Sequence, residues 1–245
     1  MSLIPVYCEL KDDHIVVYQS DGKTRTDHGI YNIITERTCS KCGDPRMLKV
    51  KGEFHCLESY LHSSLKDTDG IFQLGYYHKK YSSAKQMMNK DVLSKDIIKL
   101  KNNYNYAVPI AKAMFLLMKS NFPILLDADA LVPVPNHPDD PFRHTKAIAV
   151  TTELANEYSQ HGKPIPVISA LNKILNKSTH GLSRSEREEI VENMFEFNKN
   201  KSVENKNIVL VDDVLTAGNI KGRCTTILKE HGAKRVWCFV IGRTI

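Results

Sequence analysis

The sequence predicts an α/β protein, a parallel sheet with flanking helices, preceded by a small strand-rich module stapled through cysteines. Three observations point there. Asn207-Ile208-Val209-Leu210-Val211 is an uninterrupted apolar run ending in two acids, Asp212 and Asp213, as expected of a strand buried on both faces. Small residues follow, then a helical pattern at Ile220, Cys224, Ile227 and Leu228, then a second apolar run from Arg235 to Ile241. Strand, helix and strand with short connections make a right-handed crossover in a parallel sheet. Far upstream, Cys39-Ser40-Lys41-Cys42-Gly43 has the spacing of a metal knuckle.

Residues 1–70 read as the small module. Stretches such as His14-Ile15-Val16-Val17-Tyr18 and the turn at Ser20-Asp21-Gly22 predict short strands. The chain has 6 cysteines, and no basic and apolar leader opens it, so thiols or a metal are expected in place of a disulfide framework. Cys39, Cys42 and Cys56 supply three thiolates for one structural zinc. Ser59 stands where a second cysteine pair would end, so the fourth ligand is sought among His62, His55 and Cys8, with His62 favoured. Such a site staples a segment too short to fold on its own core. Cys224 and Cys238 fall in apolar patterns and are expected to be buried as small hydrophobes.

Residues 71–120 carry a helical, lysine-rich pattern. Val92, Ile97 and Ile98, then Ile110, Met114, Leu117 and Met118, recur at near-helical spacing. The lysines between Lys79 and Lys119 mark a candidate basic face. Residues 121–245 form the α/β domain proper. Ala130-Leu131-Val132-Pro133-Val134 predicts a strand stopped at Pro135-Asn136-His137-Pro138, and Ala147, Thr151, Leu154, Ala155 and Tyr158 share one face of the helix after it.

Composition is that of a globular chain, 42% hydrophobic and 25% charged, which excludes disorder as the default. No run of about 18 uncharged apolar residues occurs, so membrane insertion is not expected and a cytoplasmic location is. The net charge of +6 suits a soluble surface or attraction to polyanions.

In open α/β sheets the ligand lies at the carboxyl ends of the strands, which selects Asp212 to Asn219. Backbone N–H groups of Thr216, Ala217, Gly218 and Asn219 can converge on a phosphate at the positive end of a helix. The Asp212 and Asp213 carboxylates can accept from ribose hydroxyls or hold Mg²⁺. Neither GxxxxGK[ST] nor GxGxxG is present, which removes the P-loop and dinucleotide readings. Adjacent carboxylates repel unless something cationic or hydrogen-bonding lies between them. Neutralising either acid is therefore expected to leave the empty protein as stable or more so.

Ile208 to Asn219 resembles the phosphoribosyl pyrophosphate (PRPP) motif of type I phosphoribosyltransferases. With the cysteine knuckle, Asp96-Ile97-Ile98-Lys99-Leu100-Lys101, Leu131-Val132-Pro133-Val134-Pro135 and Leu182-Ser183-Arg184-Ser185-Glu186-Arg187, it resembles the ComF family over nearly the whole chain. The resemblance implies a type I phosphoribosyltransferase-like core of five parallel strands, a zinc-bearing N-terminal module, PRPP and Mg²⁺ as ligands, and a link to DNA uptake and competence in some relatives. It implies that Asp212 and Asp213 bind the ribose and that Thr216, Ala217, Gly218 and Asn219 cradle the 5′-phosphate. Val134, Pro135 and Asn136 would form the pyrophosphate loop, with Arg143 or Lys146 as a basic group. Lys177 to Arg187 corresponds to a mobile loop, and Ser183-x-x-Glu186 is a capping-box pattern in its own right. Ala217 and Ile220 replace threonines usual in the family's loop, and Ile190 stands where Asn is common. The implied activity is phosphoribosyl transfer to a nucleobase, an amine or a nucleic-acid group. The runner-up is a non-catalytic PRPP sensor or single-stranded-DNA-handling protein. Homo-oligomers fit either reading.

Overall fold

A computed structural model of the chain describes residues 5–21, 23–34, 39, 42, 47–50, 53–56, 62, 65–78, 91–100, 102–136, 139, 147–177, 183–215 and 218–244. Strands β1 (Val6–Leu10), β2 (His14–Ser20) and β3 (Arg25–Asn32) form an antiparallel sheet, and β4 (Met47–Val50) pairs with β5 (Glu53–Cys56). The main sheet is built from β6 (Gly70–Tyr77), β7 (Ala130–Pro133), β10 (Asn207–Leu215) and β11 (Arg235–Thr244), in the order β6-β11-β10-β7 and parallel throughout. A short antiparallel pair, β8 (Leu171–Lys173) and β9 (Phe195–Phe197), lies outside it. The α-helices are α1 (Val92–Lys99), α2 (Ala107–Ser120), α3 (Ala147–Gln160), α4 (Arg184–Glu192) and α5 (Asn219–Glu230).

Side-chain alternation sorts the core into two layers. Val209, Val211, Trp237, Phe239 and Ile241 point to one face of the sheet, where they meet α1, α2 and α3. Ile208, Leu210, Val236, Cys238 and Val240 point to the other, where they meet Cys224, Ile227 and Leu228 of α5. Successive strand residues face opposite ways, and helices on both faces explain why these runs are continuously apolar. The α/β class with flanking helices is therefore as expected, and so is the burial of Cys224 and Cys238. Ser183 caps α4 in a full capping box with Glu186.

Three features differ from the sequence reading. Where a helical pattern is expected from about residue 71, strand β6 occupies Gly70–Tyr77, its Ile71, Phe72, Tyr76 and Tyr77 being β-branched or aromatic. Gly75 lies there against the Asn32 carbonyl, where a Cβ would collide with the oxygen, and Ile33 bridges to it. Among the described residues the first α-helix is α1, starting at Val92. Next, four parallel strands are found among the described residues, where five are implied. Beside β7 a single bridge joins Leu131 to Val167, with Leu131 N–H donating to Pro166 and Ile168 N–H to Leu131. Pro164 and Pro166 have no N–H to extend that ladder. Finally, Ile15, Val17, Tyr31 and Ile33 of the N-terminal strands share the first core layer with α1, α2 and the main sheet.

Within the lysine-rich stretch, residues 79–90 lie outside the described set, and Lys112 is ion-paired with Glu157 at 2.8 Å. Among the described residues no helix is long and apolar enough to cross a membrane.

Candidate functional site

β10 runs through the interior of the sheet between β11 and β7 and carries both acids to its carboxyl end. Asp212 is 9% exposed and Asp213 is half-buried. Each carboxylate turns back on the chain. The Asp213 N–H donates to Asp212 Oδ1 at 2.9 Å, and the Val214 N–H donates to Asp213 Oδ1 at 2.7 Å. Those local bonds orient the two carboxylates.

The second oxygen of Asp212 is taken by Lys221. Its ammonium forms an ion pair with Asp212 Oδ2 and donates to the Val214 carbonyl. Burial alone would lower the lysine pKa. The Asp212 carboxylate, its hydrogen bond and the charge of Asp213 outweigh that, and the net shift is upward. Lys221 stands in the first turn of α5, so the pair ties the strand end to the helix start across the intervening loop. Sequence reasoning missed Lys221, although a signal was present: it shares a helical face with Cys224, Thr225 and Leu228.

Gly218 caps α5 with φ 76°, a left-handed conformation, which side chains strongly disfavour. Its own geometry therefore calls for glycine, in addition to any need for close approach by a ligand. An added Cβ would lie 3.4 Å from Leu65. Thr216 and Ala217, together with the side chain of Asn219, lie outside the described residues, as do Arg143 and Lys146.

Val134, Pro135 and Asn136 run beside the same strand end, with the Val134 N–H donating to the Val211 carbonyl at 2.9 Å. Pro135 and Asn136 line a cleft of about 400 Å³ whose other walls come from β8, Ile174 and Glu196. Tyr77, at the end of β6, is a further residue the sequence reading passed over. Burial and then the Asp213 carboxylate push its pKa up, so it stays a neutral hydroxyl near that acid.

Cys39, Cys42, Cys56 and His62 place one ligand atom each within 4.8 Å of one another. Cys39 Sγ lies 3.3 Å from His62 Nε2, and Cys42 Sγ lies 3.5 Å from Cys56 Sγ. Tetrahedral zinc with ordinary bond lengths sets these edges at roughly 3.6 and 3.8 Å, so these two edges come within a few tenths of an ångström of what such an ion requires, and the donor set of three thiolates and one imidazole suits it. Of the other candidates, His55 is exposed and Cys8 donates instead to the Pro109 carbonyl. The cluster is tied to the strand ends. Arg243 Nη1 donates to the Cys42 carbonyl at 2.6 Å, the Leu65 N–H donates to the His62 carbonyl at 3.3 Å, and Thr226 of α5 donates to Asp67. Cys39, Cys42 and Leu65 belong to the core layer that holds Leu215 and Cys224.

No family model matches the chain, and no curated protein matches it. Among solved structures it is similar to glutamine phosphoribosylpyrophosphate amidotransferase from B. subtilis complexed with ADP and GMP, at 18% identity and TM-score 0.35 over 96% of this chain and 37% of that one. It is also similar to purine phosphoribosyltransferase from Pyrococcus horikoshii Ot3, at 15% identity and TM-score 0.36 over 56% of this chain and 86% of that one. A structure described as the allosteric regulatory enzyme of purine biosynthesis aligns at 17% identity and TM-score 0.32, covering 95% of this chain and 36% of that one. The chain thus spans little more than a third of the first and third of these proteins.

Proposed function

We propose that the chain binds PRPP with Mg²⁺ at the end of β10 and transfers phosphoribose to an acceptor, as a ComF-like phosphoribosyltransferase of the cytoplasm with a structural zinc. The observation that carries this reading is the juxtaposition of Asp213 with the left-handed Gly218 cap of α5 at the carboxyl end of an interior parallel strand. A half-buried carboxylate there can accept from two ribose hydroxyls, while the first N–H groups of α5 face the position of the 5′-phosphate. Asp212 is neutralised within the protein by Lys221, so it fixes the loop and leaves Asp213 as the sugar-facing acid. Asn136 and the cleft beside it would take the pyrophosphate end, with Arg143 or Lys146 supplying positive charge.

In the reaction an acceptor lone pair attacks the anomeric carbon as the bond to pyrophosphate breaks. The leaving group carries away the electron pair, and the acceptor loses a proton to solvent or to a nearby base. Mg²⁺, when bound, neutralises charge on the departing pyrophosphate. The protein's own contribution is alignment of the two reactants and stabilisation of the ring's developing positive charge by Asp213.

Thermal shift with PRPP and Mg²⁺ tests the reading. The parent should be stabilised, and Asp213→Asn should lose most of that gain while melting near the parent temperature without ligand. An unshifted parent, or equal shifts in both proteins, would remove the assignment. Pyrophosphate release with nucleobase, amine and nucleic-acid acceptors then separates an enzyme from a PRPP sensor. A DNA-handling role predicts retardation of single-stranded DNA that weakens steeply as salt rises.

A further inference from the structure

A second polar centre lies between β3 and α1, apart from the strand-end loop. Asp96 is 2% exposed, and its Oδ2 receives two hydrogen bonds of 2.7 Å, from the Tyr31 hydroxyl and from His28 Nε2. Burial and the Asp96 charge hold the Tyr31 pKa well above its usual value, so Tyr31 remains a donor. With its Nε2 proton committed to the carboxylate, a neutral His28 ring keeps a lone pair on Nδ1. That atom has no partner among the described residues. Tyr31 meets the ring edge-on at 6.4 Å and Tyr106 tilts against it at 6.0 Å. The imidazole is thus fixed in position and orientation, as a carboxylate-backed histidine in a built site is.

His28 opens onto a cavity of about 210 Å³ lined also by Gln19, Asn105, Tyr106, Val6 and Pro109. Asn103 shapes its rim by accepting from the Asn105 N–H at 3.0 Å. The side-chain amides of Gln19 and Asn105 have no hydrogen-bond partner among the described residues. The wall therefore offers one fixed acceptor, two amides that donate and accept, an aromatic face and two apolar side chains. Among the described residues no charged side chain lines it. Lys99 lies nearby, with its ammonium 5.1 Å from the centre of the Tyr106 ring. The volume falls below the roughly 300–1,000 Å³ of pockets for drug-sized ligands.

We propose that this cavity is a binding site for a neutral nitrogen heterocycle of nucleobase size, which donates a ring N–H to His28 Nδ1 and pairs its other polar edge with Asn105 and Gln19. A phosphorylated ligand is disfavoured, because no cation lines the wall among the described residues. An acidic or ammonium ligand would find no counter-charge there either. The inference is independent of PRPP binding, since none of its residues belongs to the strand-end loop.

The test is imidazole ¹⁵N NMR on the full-length, histidine-labelled chain, titrated separately with adenine, hypoxanthine, uracil and cytosine. At least one base should move the His28 Nδ1 resonance in a saturable way. Asn105→Ala, a change at an exposed residue, should weaken that binding about tenfold, the worth of one hydrogen bond. Asp213→Asn should leave it unchanged. Absence of any saturable shift with all four bases overturns the proposal, as does a shift that survives Asn105→Ala undiminished. Loss of the shift in Asp213→Asn would place the bases at the strand-end loop and likewise overturn it.

Discussion

Lys221, in the first turn of α5, closes on Asp212 at the end of β10 with their side chains only 6% and 13% exposed. Two neighbouring acids suggest repulsion that any neutral variant would relieve, but the chain supplies its own cation to one of them. Asp212→Asn therefore strands a buried ammonium and is expected to cost about 3–5 kcal/mol. Asp212→Leu combined with Lys221→Met removes both charges and should recover most of that loss. Urea denaturation of the three proteins decides it. If Asp212→Asn is as stable as the parent, the ion pair does not hold the loop.

Loss of the Cys39, Cys42, Cys56 and His62 cluster should be felt at the loop more than at the N-terminus. About one zinc per chain is expected by elemental analysis. Because β1 to β3 lie in the core shared with α1 and α2, Cys42→Ser should spare them. The first amides to lose exchange protection should be those of Leu65 and Thr68, with Gly222 and Arg243 close behind, since Arg243 holds the Cys42 carbonyl. A metal-free preparation with native protection at these positions would refute the coupling.

Long apolar runs made β10 and β11 readable, since both of their faces are buried and no competing period intrudes. β6 was hidden because its Gly70-Ile71-Phe72-Gln73-Leu74 pattern is short and adjoins a lysine-rich stretch that reads as helix. The acids and Gly218 could be placed by their position between strand and helix. Lys221 could not be paired with Asp212 from residue types alone, because the pairing depends on how the loop returns α5 to the sheet. The spacing of Cys39, Cys42 and Cys56 pointed to a cluster able to hold a metal, whereas the bond from Arg243 to the Cys42 carbonyl joins residues far apart in the chain.

Gly218 separates a backbone requirement from a ligand requirement. Its φ of 76° makes Gly218→Ala cost roughly 1–2 kcal/mol, while the methyl itself would meet Leu65 only in van der Waals contact. Gly218→Asn should cost less, because Asn tolerates the left-handed region better. Leu65→Ala combined with Gly218→Ala opens space beside the methyl but leaves the backbone strain, so it should recover nothing. Equal stability of the Ala and Asn variants would show that backbone conformation is not what selects glycine.

Stability should also fall on the alkaline side, for a reason that can be traced to single groups. Burial pushes the Cys8 thiol from 9.0 up to about 12, with Lys112 opposing and Glu157 adding to the shift. A folded protein that keeps a proton which the unfolded chain releases gives off protons when it unfolds, so raising the pH favours unfolding. The Cys8 contribution is thus fully present below pH 9 and is lost progressively as pH rises toward 12. Lys221 acts in the same direction at higher pH, because its folded pKa also lies above the ordinary 10.5. Urea midpoints measured between about pH 8 and pH 10.5 should decline in the parent. Cys8→Ala changes the baseline through lost packing, yet it should flatten the slope, and the slope is the readout that a purely steric role would not move. A variant that declines as steeply as the parent would show that the proton released over this range comes from elsewhere.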